Sequence, residues 1–453
     1  MSERRTDFFP PSEAPLVDPA APPQPGFPAA RSEARTRGNP AAGGALGIHT
    51  KFASPDAHKV HVVDSETGEI VEFKRKGVDY EPVPPDYSHS VARWSRFDLL
   101  DGVRRIMPKH RTASCLWCRV STNNPVQVVK DLQSGRARYG GLRVCSRVWT
   151  CPVCAAKISE RRAVELAQSI GVARSQGVSV ALLTVTVPHI KTDALKPLLE
   201  RLSASWRRFT SGKTWESFKQ NIGFVGTIRN IEVTHGANGW HPHFHCLVFY
   251  TSEVELQDLQ RKWGQHWQRC AVACGLSRPS DQHGLTIQNG DYAASYVSKW
   301  GLEHEMTKSM SKTARKGGRT PMDLVRDFLA GVAPRRDAGL FREFAEAFHG
   351  MQQLRWSHGL KARFMVEDKD DETIVAEEEN RAAELVVQLT WPEWVAVRRQ
   401  HRATLLDLAE EEPHLIPVFL QRCLREEAAR GAGAKRREGG GSPPGSEAVL
   451  TPY

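Results

Sequence analysis

A β-hairpin constrains the fold of this chain more than any other sequence feature. Residues 224–234 (FVGTIRNIEVT) and 241–250 (HPHFHCLVFY) are rich in β-branched and aromatic residues, and HGANGW joins them. An Asn-Gly pair between two such runs, here Asn238-Gly239, is a strong hairpin signal. Because alternate residues of a strand face opposite sides, the hairpin predicts a sheet with one apolar face and one partly polar face.

Further runs alternate between strand and helix patterns around the hairpin. They predict a buried strand over 178–188, an amphipathic helix over 193–209, a second helix over 253–275 and a short strand over 285–288. Another helix is predicted to begin near Asp291. The order β-α-β-β-α-β-α predicts an α+β fold, in which one antiparallel sheet carries helices on one face.

Composition divides the rest of the chain. Stretches rich in Pro, Ala, Gly and charge cannot bury enough apolar surface to offset the entropy of ordering, which predicts disordered termini. Residues 308–319 carry five basic residues and no acid, which predicts a basic loop that contacts phosphates or a solvated linker. The predicted regions are a disordered N-terminal region (1–88), a cysteine-rich module (110–160), a catalytic core (178–305), the basic loop and completion of that domain (306–365), a small helical C-terminal region (385–430) and a disordered tail (431–453).

Charge and apolar content restrict the partner and the compartment. The formal net charge is +10, from 62 Lys+Arg against 52 Asp+Glu, which favours an anionic partner such as nucleic acid. No run of 18 apolar residues and no secretory signal is found, so we expect a cytoplasmic protein without a membrane partner. In a reducing compartment, the nine cysteines are expected to bind metal rather than to form disulfides.

Five of the cysteines are close together. The sequence has CLWC at 115–118, then Cys145, then CPVC at 151–154. Two C-x₂-C pairs at this separation are typical of a structural zinc site, and a redox pair is the alternative. We predict a zinc-ribbon-like module whose Zn²⁺ ligands are Cys115, Cys118, Cys151 and Cys154, with Cys145 as a possible replacement for one of them.

Three histidines alternate along the second hairpin strand. His241, His243 and His245 are predicted to face one side, and Phe244 the core. Glu232, on the partner strand, is placed to add a carboxylate oxygen. A mixed nitrogen and oxygen ligand set with open positions suits catalytic Mg²⁺ or Mn²⁺, whereas the alternative is a hydrogen-bonded histidine cluster.

The segment YAASYVSKW (292–300) carries the second chemical signal. On a helix, Tyr292 and Tyr296 lie four residues apart on one face, and Lys299 lies on the same side. A phenol becomes a nucleophile when a nearby cation stabilises its phenolate. Packed aromatic residues with a surface lysine are the alternative interpretation.

Three segments together resemble a known family. LLTVTVPH (182–189), HPHFH (241–245) and YAASYVSKW (292–300), in this order, resemble the motifs of HUH endonucleases, specifically the plasmid rolling-circle replication initiator (Rep) proteins. The resemblance covers about residues 110–365, because QQLRWSHGLKARF (352–364) is similar to the end of the Rep domain. It implies an HUH core, with a ferredoxin-like βαββαβα order.

The resemblance also implies roles for individual residues. His243 and His245 would hold a divalent cation at the scissile phosphate, and Tyr296 would attack the phosphorus. The products would be a 5′-phosphotyrosyl link and a free 3′-hydroxyl that primes synthesis. Tyr292 stands where some related initiators have a glutamate, which makes it a candidate second nucleophile. With His241 as a third histidine, the motif is also similar to that of the relaxases, which use three histidines. In relaxases, however, the tyrosine precedes the histidines.

The predicted function is therefore that of a site-specific, single-strand DNA endonuclease that initiates rolling-circle plasmid replication and later rejoins the displaced strand. Expected partners are origin DNA, as duplex or hairpin and as single strand, and a host helicase and polymerase. One alternative is an HUH transposase of a mobile element. The other is a zinc-dependent DNA-binding regulator without cleavage activity.

Overall fold

The computed structural model describes residues 48–53, 59–64, 70–74, 85–290 and 318–438, and side chains within 92–290 and 318–431. Within these ranges, no helix combines the length and the apolar character needed to cross a membrane.

The strands are β1 (Ile48–Ala53), β2 (Lys59–Asp64), β3 (Ile70–Lys74), β4 (Val126–Asp131), β5 (Ala137–Gly140), β6 (Ser179–Thr186), β7 (Phe224–Gly236), β8 (Gly239–Tyr250), β9 (Leu285–Gln288), β10 (Leu354–Trp356) and β11 (Ala383–Leu389). The helices in the described ranges are α1 (Pro85–Ile106), α2 (Pro152–Ser175), α3 (Leu195–Phe209), α4 (Gly212–Ile222), α5 (Leu256–Ala273), α6 (Pro321–Ala330), α7 (Pro334–Ala347), α8 (Leu360–Arg363), α9 (Asp371–Glu379), α10 (Trp391–Val397), α11 (Arg402–Glu411) and α12 (Ile416–Glu438).

A five-stranded sheet, in the order β10-β7-β8-β6-β9, contains the predicted hairpin, and every neighbouring pair is antiparallel. The turn between β7 and β8 is one residue earlier than predicted, because Gly236 pairs with Gly239 and leaves Ala237 and Asn238 as the link. Gly239 has φ of +88°, and a Cβ there would lie 3.0 Å from the carbonyl oxygen of Ile190. Glycine is required at this position both by the backbone conformation and by the close approach of a neighbouring loop.

One face of this sheet packs against helices. The apolar side of α3, with Leu198 and Leu202, packs with Phe244 and Ile231 of the sheet in one buried cluster that also includes Trp263 of α5. A fully buried leucine contributes about 2 kcal/mol through its transfer from water. Packing against α3 and α5 therefore holds the hairpin in its register.

The opposite face changes character along the strands. At one end, α2 covers an apolar patch that includes Leu182, Ile228 and Leu247. These three residues lie in one row across β6, β7 and β8. The next row on this face is polar, with Thr184 and His245 directly paired. The sheet thus has an apolar half beneath α2 and a polar half beyond it.

A second antiparallel sheet, in the order β11-β4-β5, lies in a separate core with the cysteines. The sequence predicted a small helical region over 385–430, but residues 383–389 form β11, which pairs with β4, and α10 to α12 pack in the same core. Alternating apolar residues in AELVVQL provide the strand pattern, and pairing with β4 satisfies its backbone groups.

Helix α1 links the two cores. Leu99 and Val103 belong to the core of the five-stranded sheet, whereas Phe97 and Leu100 belong to the core with the cysteines. The buried guanidinium of Arg93 forms ion pairs with Asp407 and Glu410 from the C-terminal part of the chain. These contacts tie the two cores together through one helix.

The mixed helix and antiparallel-sheet class predicted from sequence is confirmed, with two differences in element order. Helix α4 follows α3 and was not predicted. The strands β1, β2 and β3 pair with one another inside the N-terminal range for which composition predicted disorder, since KVHVVD and IVEFK have the alternation of strands. The helix predicted from Asp291, like the remainder of both terminal regions, lies outside the described residues.

Candidate functional site

Glu232, His243 and His245 form a compact group on the polar half of the five-stranded sheet. Their potential ligand atoms all lie within 4.8 Å of one another. Oε2 of Glu232 is 3.4 Å from Nε2 of His243 and 3.4 Å from Nε2 of His245. The register produces this arrangement, because Glu232 pairs directly with His243 across the hairpin, and His245 is two residues further along on the same face.

Neighbouring groups orient each ligand. Nδ1 of His245 is hydrogen-bonded to Oγ1 of Thr184 at 2.9 Å, and Nδ1 of His243 lies 3.3 Å from the carbonyl oxygen of His241. Asn230 donates through Nδ2 to Oε1 of Glu232 at 3.1 Å. With both Nδ1 atoms held in this way, the two Nε2 atoms face the carboxylate.

The electrostatics favour an ionised carboxylate at this position. Burial by itself raises the pKa of Glu232, but hydrogen bonds from His243 and His245 outweigh it and hold the pKa well below its usual range. An ionised carboxylate beside two imidazoles is a charge arrangement that attracts a divalent cation.

The donor set passes a simple fit test for a metal ion. Donors 3.4 Å apart can both lie about 2.0–2.2 Å from one ion, the range for Mg²⁺ and for nitrogen or oxygen ligands of Zn²⁺. Glu232, His243 and His245 could therefore hold a metal, with the remaining coordination positions open.

His241 lies outside this group, although the sequence predicted it as a ligand. Two residues along a strand span about 6.6 Å, so His241 lies beyond His243 and pairs with Thr234 rather than with a carboxylate. Its Nδ1 is 3.4 Å from Nδ1 of His189, a residue that the sequence reasoning missed. Burial, together with His243 and His189, lowers the pKa of His241 to about 4.

The cysteine group is the second set that could hold a metal. Cys115, Cys145, Cys151 and Cys154 are buried free thiols whose sulfur atoms lie within 4.8 Å of one another. The Sγ–Sγ distances for Cys115–Cys154, Cys145–Cys154 and Cys115–Cys151 are each 3.7 Å. Four sulfurs arranged as a tetrahedron at about 2.3 Å from an ion are about 3.8 Å apart, so the group fits a tetrahedral ion.

The fourth cysteine of this group is Cys145, which the sequence offered as a possible replacement for one of the four predicted ligands. Cys118, which the sequence predicted as a ligand, lies outside the group. Arg143 N donates to Cys118 O at 2.9 Å, and Leu116 N donates to Arg143 O at 2.8 Å, which pairs the two segments and leaves Cys118 half-exposed. The residues after Cys115 and Cys145 both have positive φ, Leu116 at 45° and Ser146 at 51°. The C-x₂-C spacing alone does not show these backbone turns.

Helix α2 begins inside the cysteine group. Cys151 is its N-cap, and its Sγ accepts from Cys154 N at 3.5 Å. Hydrogen bonds from Cys115, Cys145 and Cys151 lower the pKa of the Cys154 thiol well below its usual range. The positive end of the helix further favours negative charge on these sulfurs.

The predicted nucleophiles Tyr292 and Tyr296 and the neighbouring Lys299 lie outside the described residues. So does most of the basic loop. Its last residue, Arg319, forms ion pairs with Asp327 and Asp337 at 2.8 Å and exchanges two backbone hydrogen bonds of 2.8 Å with His235. Arg319 therefore anchors the end of the loop to the hairpin instead of lying free for phosphate.

Thr184 and Asn230 are site residues that the sequence reasoning also missed. A signal was present, because Thr184 and Thr186 interrupt the apolar run of β6 at period two. Polar residues at this spacing in a buried strand indicate a face with polar contacts.

The chain also matches a known protein family. In the part of the chain that the structure describes, the fold and site define an α+β protein with a candidate Glu-His-His metal group and a candidate four-cysteine metal group. Residues 140–401, more than half of the chain, match the family model described as replication protein. The chain belongs to this family, and the resemblance to plasmid replication initiators is confirmed.

Three named relatives are between 26% and 29% identical to the chain. The chain is 26% identical over 348 residues to "Protein rep" of Streptomyces lividans, covering 60% of this chain and 76% of that one. It is 29% identical to "Protein rep" of Bacillus amyloliquefaciens and 28% identical to a "Neomycin resistance protein" of Streptomyces cyanogenus, each covering 31% of this chain and 41% of the relative. No solved structure matches the chain.

Proposed function

We propose that the protein initiates plasmid replication by nicking one DNA strand through a tyrosine nucleophile, as an HUH endonuclease. The Glu232, His243 and His245 group carries this proposal, because its ligand atoms lie within 4.8 Å on an open polar face. Membership of the replication protein family supports DNA as the substrate. The tyrosine pair Tyr292 and Tyr296, downstream of the histidines in the sequence, adds to this support.

The Glu-His-His group would hold Mg²⁺ or Mn²⁺, which when bound withdraws charge from a scissile phosphate. Glu232 supplies the negative charge that favours cation binding, and Thr184 fixes the ring of His245. The four cysteines would hold Zn²⁺ in a structural role, because a buried all-thiolate set leaves no open position.

The cleavage step is assigned to Tyr296. Its phenol oxygen loses its proton and forms a bond to phosphorus, and the bond from phosphorus to the 3′ oxygen breaks. The 3′ oxygen takes up a proton and becomes a 3′-hydroxyl, while the 5′ phosphate stays on the tyrosine. Lys299 would stabilise the phenolate, and Tyr292 would serve as a second nucleophile for rejoining. A free 3′-hydroxyl is what a host polymerase, following a helicase, extends.

Covalent capture tests this proposal. Labelled single-stranded oligonucleotides that tile the replicon carrying the gene are incubated with protein and Mg²⁺ or Mn²⁺, and adducts are resolved on a denaturing gel. We expect an adduct with wild type, its loss in Tyr296→Phe, and at least about a 100-fold slower nick in His243→Ala. His414→Ala, at an exposed histidine outside the site, is the control and should match wild type.

Two results would contradict the proposal. One is the absence of a covalent adduct with wild type on every oligonucleotide. The other is wild-type nicking by His243→Ala. An adduct that persists in Tyr296→Phe and disappears in Tyr292→Phe would reassign the nucleophile.

A further inference from the structure

A groove of about 360 Å³ lies on the face of the five-stranded sheet opposite the Glu-His-His group. Its floor includes Arg229 of β7 and Phe244 of β8, which point away from the polar half. Helix α3 forms one side, and the segment containing β10 forms the other. Nothing in the cleavage chemistry proposed above uses this groove.

Three arginines from three different elements line the groove, namely Arg207 of α3, Arg229 of β7 and Arg355 of β10. Arg229 and Arg355 are directly paired across the two strands, which places their side chains on the same face. The guanidinium of Arg229 is half-buried, 4.2 Å from the ring centre of Phe244 and 5.3 Å from that of Trp206.

These arginines have no acidic partner among the residues that the structure describes. No Asp or Glu lines the groove, and none of the three forms an ion pair within the described ranges. Other buried arginines of the chain, such as Arg93 and Arg402, are paired with carboxylates. Burial and the charges of Arg355 and Arg207 lower the pKa of Arg229 to about 10. A cluster of positively charged side chains without neighbouring acidic residues favours the binding of an anionic ligand.

The neutral residues of the groove narrow the chemistry of that anion. Ser203 and Gln352 offer a hydroxyl and an amide group, whereas the hydroxyl of Thr210 already donates to the carbonyl oxygen of Trp206. Guanidinium groups interleaved with aromatic rings and neutral donors are typical of surfaces that follow the backbone of a single strand.

We propose that this groove binds the phosphodiester backbone of a single DNA strand at a second site, on the sheet face opposite the Glu-His-His group. The inference rests on DNA being the substrate of the protein, as proposed above. The groove would hold a DNA strand away from the nick while cleavage takes place on the face with the Glu-His-His group.

Fluorescence anisotropy tests the groove without any cleavage. The full chain is titrated against a labelled, mixed-sequence single strand of about 20 nucleotides, with no added divalent ion and no chelator, so that a metal held by the cysteines is retained. The test variant is Arg207→Gln with Arg355→Gln, since both side chains are exposed. The matched control is Arg208→Gln with Arg363→Gln, which removes the same charge from exposed positions outside the groove.

We expect the groove variant to bind the single strand about tenfold more weakly than the control at 0.1 M salt. Its plot of log affinity against log salt should be shallower by about 1.4, or roughly 0.7 for each lost phosphate contact. Equal affinities of the two variants would overturn the proposal and leave an acidic protein as the occupant. An equal loss on a duplex probe would overturn the assignment to a single strand. Since nicking is not scored, failure here and failure of the proposed cleavage are distinguishable.

Discussion

At the scale of single residues, the site depends on the position along each strand at which apolar side chains give way to polar ones. On one face of the sheet, Leu182, Leu247 and Ile228 form an apolar row, and Thr184, His245 and Asn230 form the next. The apolar row packs beneath α2, so it cannot rotate without exposing its side chains to water. The packed row therefore holds the hydroxyl of Thr184 against the ring of His245.

Thr184→Val tests this orienting contact. Valine keeps the shape of the side chain and removes the hydroxyl that lies 2.9 Å from Nδ1 of His245. We expect the affinity for Mn²⁺ to fall about 10-fold to 100-fold, with little change in stability. Calorimetric titration with Mn²⁺ measures this affinity. Thr186→Val is the control, because the Thr186 hydroxyl donates to the His283 carbonyl; equal affinities in the two variants would contradict an orienting role.

At the scale of elements, the cysteine group collects ligands from three local structures. Cys115 follows a short 3-10 turn, Cys145 precedes a residue with positive φ, and Cys151 and Cys154 begin α2. A bound ion would connect these segments, and metal binding of this kind contributes directly to folding. The stability of α2, which also covers the apolar half of the five-stranded sheet, should therefore depend on the cysteine group.

Serine substitutions separate the two candidate fourth ligands. Cys145→Ser should abolish binding of one zinc ion per chain and lower the free energy of unfolding by roughly 3 kcal/mol or more. Cys118→Ser should retain zinc binding and the wild-type free energy of unfolding, because Cys118 is half-exposed and lies outside the sulfur group. Elemental analysis for zinc and thermal unfolding measure these effects. Zinc loss in Cys118→Ser alone would restore the original assignment from sequence.

At the scale of the whole molecule, the C-terminal part of the chain completes the core that contains the cysteines. Trp394 is fully buried, donates through Nε1 to the carbonyl oxygen of Trp117 at 3.1 Å, and stacks edge-on against Tyr139 at 5.1 Å. Arg402 forms an ion pair with Asp101 of α1 at 2.6 Å. Segments about 280 residues apart thus share one core, and we expect them to unfold together.

Trp394→Ala tests this shared core. The loss of a buried indole should lower the free energy of unfolding by about 3–5 kcal/mol and release zinc from the distant cysteines in the same transition. Trp391→Ala, three residues earlier and 41% exposed, should cost about 1 kcal/mol or less. Denaturant unfolding followed together with a zinc-sensitive dye measures both. Zinc release that is separate from unfolding in Trp394→Ala would contradict a common core.

The local sequence pattern was sufficient to predict the structural features that depend only on residues close together in the chain. The period-two histidines, the hairpin glycine and the amphipathic helices follow from backbone geometry over a few residues, and the hairpin pairing placed Glu232 opposite His243. For the same reason, the α+β class and all three residues of the Glu-His-His group could be expected before the fold was known.

The tertiary structure alone decided which distant residues meet. Cys145 rather than Cys118, the turn of His241 towards His189, the pairing of β11 with β4 and the arginine groove all depend on contacts between segments far apart in sequence. Such contacts are selected by the packing of whole elements and by the hydrogen bonds that strand edges require. Spacing along the chain carries no information about either.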